Sequence, residues 1–268
     1  MRFAKWQGLG NHYVILEREG WPLAMTPARA ARLSDPHFGI GGDGVLELSF
    51  EEEAPRMTVW NPDGSTAESC GNGIRMVARY LAESGRLPDD GTILTGGGPV
   101  RIRLEPDGRV AVAMGRARFP AGERREPLAV DGARVELAEV SMGNPHAVIE
   151  HPRPDEVVRR LGPLVERADR FPQRTNVEFV RSDGPSELTM RVWERGVGET
   201  MACGTGACAA AVAAVRLGGV RSPVTVRLRG GDLLVAVDDD LEVTMTGPAE
   251  AIFEGELSPA MAAALERL

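Results

Sequence analysis

The chain has 268 residues, with 39 acidic against 31 basic side chains for a formal net charge of -8, long enough for two domains with a core each. At 43% hydrophobic and 26% charged residues it reads as globular, which excludes disordered and fibrous classes. The acidic balance and 5% aromatics supply neither a basic stripe nor stacking platforms, so no nucleic-acid partner is expected.

From the N-terminus, MRFAKWQGLGNHYV offers no continuous apolar segment, and the longest apolar run, residues 207–215, is too short to span a bilayer. No membrane partner is expected, and the cytoplasm is the expected location. Lys5 is the only lysine; the other 30 basic residues are arginines. Pyridoxal phosphate and Schiff-base enzymes need a positioned lysine amine, so both classes become improbable. Next, residues 57–60 (MTVW) read as a strand. Cys70-Gly71-Asn72-Gly73 opens a helical run over 72–84 that Gly85 closes. A hairpin is expected between 100–104 and 110–114 across Pro106-Asp107-Gly108. The Arg-, Pro- and Gly-rich stretch 116–126 reads as a linker, and 152–154 as a loop.

The same elements then recur. Residues 190–193 (MRVW) form a strand pattern, and Cys203-Gly204-Thr205-Gly206 opens a helix over 205–217 ended by Gly218. Being apolar all round, that helix should be buried. A hairpin joins 233–237 to 241–245 across three aspartates. Four blocks repeat in register at a spacing of 133 residues without a gap: Gly10-Asn11 with Gly143-Asn144, the two strands, the two cysteine motifs, and Thr92 with Thr225. The fold class is therefore α+β: two homologous lobes related by a pseudo-two-fold axis, each a mostly antiparallel, barrel-like sheet around a central helix. The expected domains are 1–115 with Cys70, 116–250 with Cys203, and a tail, 251–268, packing back on the first lobe.

Cys70 and Cys203 thus sit at equivalent helix N-termini, where amides and dipole lower a thiol pKa and attract an anion. Under the pseudo-dyad they would face one cleft, one thiolate removing a proton from a carbon while the opposing thiol protonates the other face. The amides of Gly71, Asn72, Gly204 and Thr205 would hold the substrate's carboxylate. Cys208, in the apolar helix, is an ordinary buried hydrophobe. The three cysteines lack metal-ligand spacing, so no metal is expected.

These residues closely resemble the diaminopimelate epimerase family over essentially the whole chain: GLGNHYV at 8–14, NPDGSTAESCGNGIR at 61–75, SMGNPHAVI at 141–149 and ERGVGETMACGTGACA at 194–209. The resemblance implies a cofactor-independent isomerase, with no pyridoxal phosphate, that interconverts LL- and meso-diaminopimelate in lysine and cell-wall precursor biosynthesis. It implies that Cys70 and Cys203 are the catalytic acid/base pair. Asn11, Asn61, Asn144, Asn176, Glu194 and Arg195 match the family's residues for the substrate's amino groups and distal carboxylate. Gly71, Asn72, Gly204 and Thr205 match its carboxylate cradle, and His146 a supporting histidine beside the pair. At Gly44, some members carry a glutamine that touches substrate; here no side chain can. At the repeat spacing Glu194 and Arg195 meet Asn61 and Pro62, so the lobes differ where an asymmetric substrate's far end is read, and an arginine suits a second carboxylate. A small molecule is the expected partner, and a homodimer is compatible with the sequence. The alternatives are a proline racemase or hydroxyproline epimerase of the same fold, a dithiol redox protein, or a ligand-binding module.

Overall fold

The computed structural model describes residues 1–50, 54–68 and 70–268; Ser69, inside the first cysteine motif, lies outside them. Two compact units are present, Met1–Val112 with Gly247–Leu268, and Ala113–Thr246.

The first unit contains β1 (Arg2–Gly8), β2 (Asn11–Glu17), α1 (Pro27–Ser34), β3 (Val45–Phe50), β4 (Pro55–Trp60), β5 (Thr66–Ala67), α2 (Gly71–Glu83), β6 (Asp90–Thr95), β7 (Gly98–Leu104) and the start of β8 (Val110–Arg116). The second contains the end of β8, then β9 (Glu126–Val130), β10 (Ala133–Ser141), β11 (Pro145–Glu150), α3 (Pro154–Glu166), β12 (Asn176–Gly184), β13 (Glu187–Glu194), β14 (Gly198–Glu199), α4 (Gly204–Leu217), β15 (Val224–Leu228), β16 (Gly231–Val237) and β17 (Glu242–Gly247). The chain then returns to the first unit as β18 (Glu250–Glu256) and α5 (Pro259–Glu266), with β18 antiparallel to β1.

Within each unit the pairing is the same. β1–β2 matches β10–β11, the parallel pair β2–β3 matches β11–β12, and β3–β4 matches β12–β13. The parallel pair β4–β6 matches β13–β15, and the hairpin strands β6–β7–β8 match β15–β16–β17. The strands surround one helix, α2 in the first unit and α4 in the second. Helix α4 is buried over its apolar length, Ala207 through Val212 being 0% exposed, as an all-round Ala/Val surface requires.

Three details depart from the sequence reading. The repeat is not gapless. From β4 onward every register recurs at the same spacing, but the β1–β2 turn runs from Gly8 to Asn11 where its counterpart runs from Ser141 to Pro145, one residue longer. Likewise Val14↔Val45 becomes Ala147↔Val177, which places Leu46 and Glu178 in equivalent positions. Secondly, Gly85 and Gly218 do end their helices as expected, but not alike: Gly85 has φ 68°, whereas Gly218 caps α4 at φ -111° and the left-handed residue there is Gly219 at φ 71°. Thirdly, 116–126 is no slack linker at its start: Ala117 is buried and donates its N–H to the Leu241 carbonyl, and Arg118 bridges Ser141.

Candidate active-site half-shells

In the first unit, Cys70 is the N-cap of α2, in extended conformation, and its Sγ accepts from the Gly73 N–H at 3.3 Å. Its thiol lies 3.6 Å from the Tyr13 hydroxyl on β2. The first-turn amides of Gly71 and Asn72 precede the helix's own ladder, which begins with Ile74 N–H to the Cys70 carbonyl. Asn72 is buried, with Oδ1 accepting from Arg75 Nη2 at 2.8 Å. Asn61 follows β4 in a tight turn: its Nδ2 donates to Ser65 Oγ and its backbone N–H to the Ser65 carbonyl. Asn11 begins β2, half-buried. Gly44 follows a loop pinned by Lys5, whose buried ammonium donates to the Gly41 and Ile40 carbonyls. A Cβ at Gly44 would sit 2.2 Å from the Trp60 carbonyl oxygen, and φ is 146°, so this backbone accommodates no side chain there.

The second unit repeats the cap and changes what surrounds it. Cys203 is the N-cap of α4 and only 6% exposed. Its Sγ lies 3.6 Å from Thr205 Oγ1, which accepts from Asn144 Nδ2 at 3.3 Å. Asn144 Oδ1 faces His146 Nε2 at 3.0 Å, and His146 Nδ1 meets Glu178 Oε1 at 2.7 Å, with both side chains fully buried. Glu194, ending β13, accepts from Thr200 Oγ1 at 2.5 Å and from the Cys203 thiol. Burial pushes its carboxyl up.

A helix N-terminus was expected to lower both thiols. For Cys203, burial, followed by the Glu194 carboxylate, pushes the thiol well above the usual range, and the donors from Thr205 and Gly206 do not reverse it. The surroundings of Cys203 thus favour its protonated form, and Glu194 accepts a hydrogen bond from it.

Asn176 begins β12 and holds the neighbouring segments together. Its Oδ1 accepts from the Arg195 N–H at 3.0 Å and its Nδ2 donates to the Pro145 carbonyl at 3.0 Å. Arg195 is exposed on the β13–β14 turn. The turn hangs from Glu166 at the end of α3, which accepts from Trp193 Nε1 at 2.9 Å and the Gly196 N–H at 2.8 Å. Burial alone would raise this carboxyl; those two donors with Arg167 and Arg174 outweigh it and hold it below the usual carboxylate range. Its anchoring is therefore present above the ordinary carboxylate pKa and lost as pH falls through the lowered one. Glu166→Leu should raise KM for a substrate gripped by Arg195 by roughly tenfold, with a smaller fall in kcat. An unchanged KM in the folded variant would remove Glu166 from the site's support.

The structure thus gathers Asn144, His146, Glu194, Cys203, Gly204 and Thr205 in one unit, and Gly71 and Asn72 with Cys70 in the other. Sequence reasoning passed over Tyr13, Arg75, Glu166 and Glu178. The signal for Glu178 was present, a lone carboxylate in the apolar strand TNVEFV, and that for Arg75 was an arginine on the buried face of α2. Among the described residues no group of three or more His, Cys, Asp or Glu could hold a metal ion, and no helix is long and apolar enough to cross a membrane.

The family model described as "Diaminopimelate epimerase" matches residues 3–120 and 138–252. A diaminopimelate epimerase of Pelotomaculum thermopropionicum is 44% identical, covering 96% of this chain and 98% of that protein. One of Alkalilimnicola ehrlichii is 42% identical over the same shares. Among solved structures, a hydroxyproline epimerase of Agrobacterium vitis superposes with a TM-score of 0.72 at 14% identity, covering 98% of this chain and 93% of that one. That likeness concerns the fold alone.

Proposed function

The chain belongs to the diaminopimelate epimerase family, and from that premise we propose that Cys70 and Cys203 are the acid/base pair of its reaction, the interconversion of LL- and meso-diaminopimelate in lysine biosynthesis. Inverting an α-carbon without a cofactor requires one group to remove the proton and another to deliver one to the opposite face. The observation that carries the assignment is the equivalence of the two cysteines as N-caps of the central helices. Each cap leaves first-turn amides, from Gly71 and Asn72 and from Gly204 and Thr205, suited to the carboxylate on which negative charge grows as the proton leaves.

In one direction the Cys203 thiol, held protonated by its surroundings, donates while Cys70 abstracts. In the other, Cys203 first passes its proton to Glu194. Asn11, Asn61, Asn144, Asn176 and Arg195 bind the distal amino and carboxylate groups in this reading, and His146 supports the pair through Asn144. Both thiols must stay reduced in this reading, which a cytoplasmic location would provide.

Incubation in deuterium oxide tests substrate choice. Label should enter the α-position of diaminopimelate and not of proline; exchange with proline alone would transfer the chain's chemistry to the proline racemase type.

A further inference from the structure

The two cysteines have equivalent caps but unlike floors. Under Gly73, a Cβ would meet Leu46 Cδ2 at 3.0 Å; under Gly206, it would meet Glu178 Oε1 at 2.7 Å. The registers that place Leu46 opposite Glu178 in the repeat also place Tyr13 opposite His146. Where the first unit has a leucine and a phenol, the second has a carboxylate and an imidazole, both 0% exposed at the side chain. The reaction as derived above gives Glu178 no role.

Hydrogen bookkeeping along the contacts assigns one. Thr205 Oγ1 accepts from Asn144 Nδ2, so its single hydroxyl hydrogen is available for the Cys203 sulfur at 3.6 Å. With Nδ2 committed there, Asn144 presents its oxygen to His146 Nε2 at 3.0 Å, and Nε2 must carry a hydrogen. The Nδ1 contact to Glu178 Oε1 at 2.7 Å then needs one further proton, on either atom. Glu178 Oε2 has no hydrogen-bond partner among the described residues, an arrangement a carboxyl group tolerates better than a carboxylate.

We propose that Glu178 is a positioning residue: by sharing a proton with His146 it fixes the direction of a hydrogen-bond chain through Asn144 and Thr205 whose last donor points at the Cys203 sulfur. The chain favours the Cys203 thiolate and offsets part of what burial imposes. Glu194 on β13, Glu178 on β12 and His146 on β11 are the titratable groups around this thiol. The proposal rests on the reading of Cys203 as a catalytic acid/base, but its test does not.

The sign of one titration decides it. In a Cys70→Ser, Cys208→Ser background Cys203 is the only thiol, and its thiolate is read at 240 nm against pH. Glu178→Leu, the residue the first unit carries at this place, removes the proton-sharing partner without changing the net charge of the pair. The titration midpoint should rise by about one unit, a tenfold loss of thiolate at a given pH below it. Glu178→Gln, whose amide can donate to Nδ1, should restore most of the shift. A midpoint that falls in Glu178→Leu would show that Glu178 acts as a bare negative charge, and would overturn the proposal, as would a Gln variant no better than Leu. Should the Leu variant not fold, nitrogen-15 shifts of His146 in the unaltered protein decide the same point: Nε2 protonated at pH 8 is expected, and Nε2 unprotonated contradicts it. None of these readouts needs turnover, so a failure of the catalytic assignment would appear separately, as an active Cys203→Ser enzyme.

Discussion

Cys70→Ser and Cys203→Ser should each lower kcat by roughly 10²–10⁴, the range general acid/base catalysis contributes, while Cys208→Ser stays within a few-fold of the parent. A serine hydroxyl can keep the cap geometry, accepting the Gly73 N–H as Cys70 Sγ does, but it holds its proton far too tightly to act as a base. The two losses should be of similar size, since inversion fails if either face lacks its group. Cys208 is 0% exposed inside α4, so its replacement introduces a hydroxyl to the core and costs about 1–2 kcal/mol of stability without touching the chemistry. A steady-state assay on the three reduced variants checks this. A Cys208 variant as inactive as the other two, with its fold intact, would break the assignment.

The largest expected stability effect is at Arg75. This side chain is 0% exposed, yet donates to the Pro248 carbonyl at 3.1 Å, the Gly71 carbonyl at 3.4 Å and Asn72 Oδ1 at 2.8 Å. It thereby ties the first turn of α2, where the carboxylate cradle is proposed, to the segment that brings the chain back as β18. Arg75→Ala removes the donors, takes this partner from the buried Asn72 Oδ1 and opens a cavity, a combination worth about 3–5 kcal/mol. For a chain of this length that is a fall in Tm of roughly 10 °C. Thermal unfolding checks it; a shift of only a degree or two would mean water or a neighbour replaces the guanidinium. Because Asn72 loses its partner, kcat/KM measured well below the new Tm should fall as well.

Much of this was legible in the sequence, and the reasons are physical. Glycines beside a cysteine at a helix start, occurring twice at one spacing, locate both N-caps, because helix ends and close backbone approach restrict residue choice strongly. An unbroken Ala/Val helix can only be a central one. The registers of β1 to β3 were not legible: buried residues run consecutively, from Tyr13 to Leu16 and from Asn176 to Val180, so no alternation marks one face, and the slip appears only in the pairing of Val14 and Ala147 with their neighbours. Buried polar groups were the other blind spot. Glu166 and Arg75 look like surface residues by type, Glu178 differs from one only in its apolar neighbours along TNVEFV, and the partners that the fold brings to all three account for their burial. The direction of the Cys203 thiol was misread for the same reason, since the dipole at a helix start is visible in sequence whereas the burial of the thiol and the Glu194 carboxylate beside it are not.

The most direct test of the central claim is where solvent deuterium goes in the first turnovers of LL-diaminopimelate. A thiol carries one proton, so a cysteine that abstracts the α-hydrogen and then reverses returns the same atom, whereas the cysteine on the opposite face delivers one drawn from solvent. Deuterium is expected at the α-carbon of the meso product from the outset, with the recovered LL substrate still unlabelled. Deuterium appearing equally fast in the recovered substrate would mean that one exchangeable base serves both faces, and would contradict the pairing of Cys70 with Cys203.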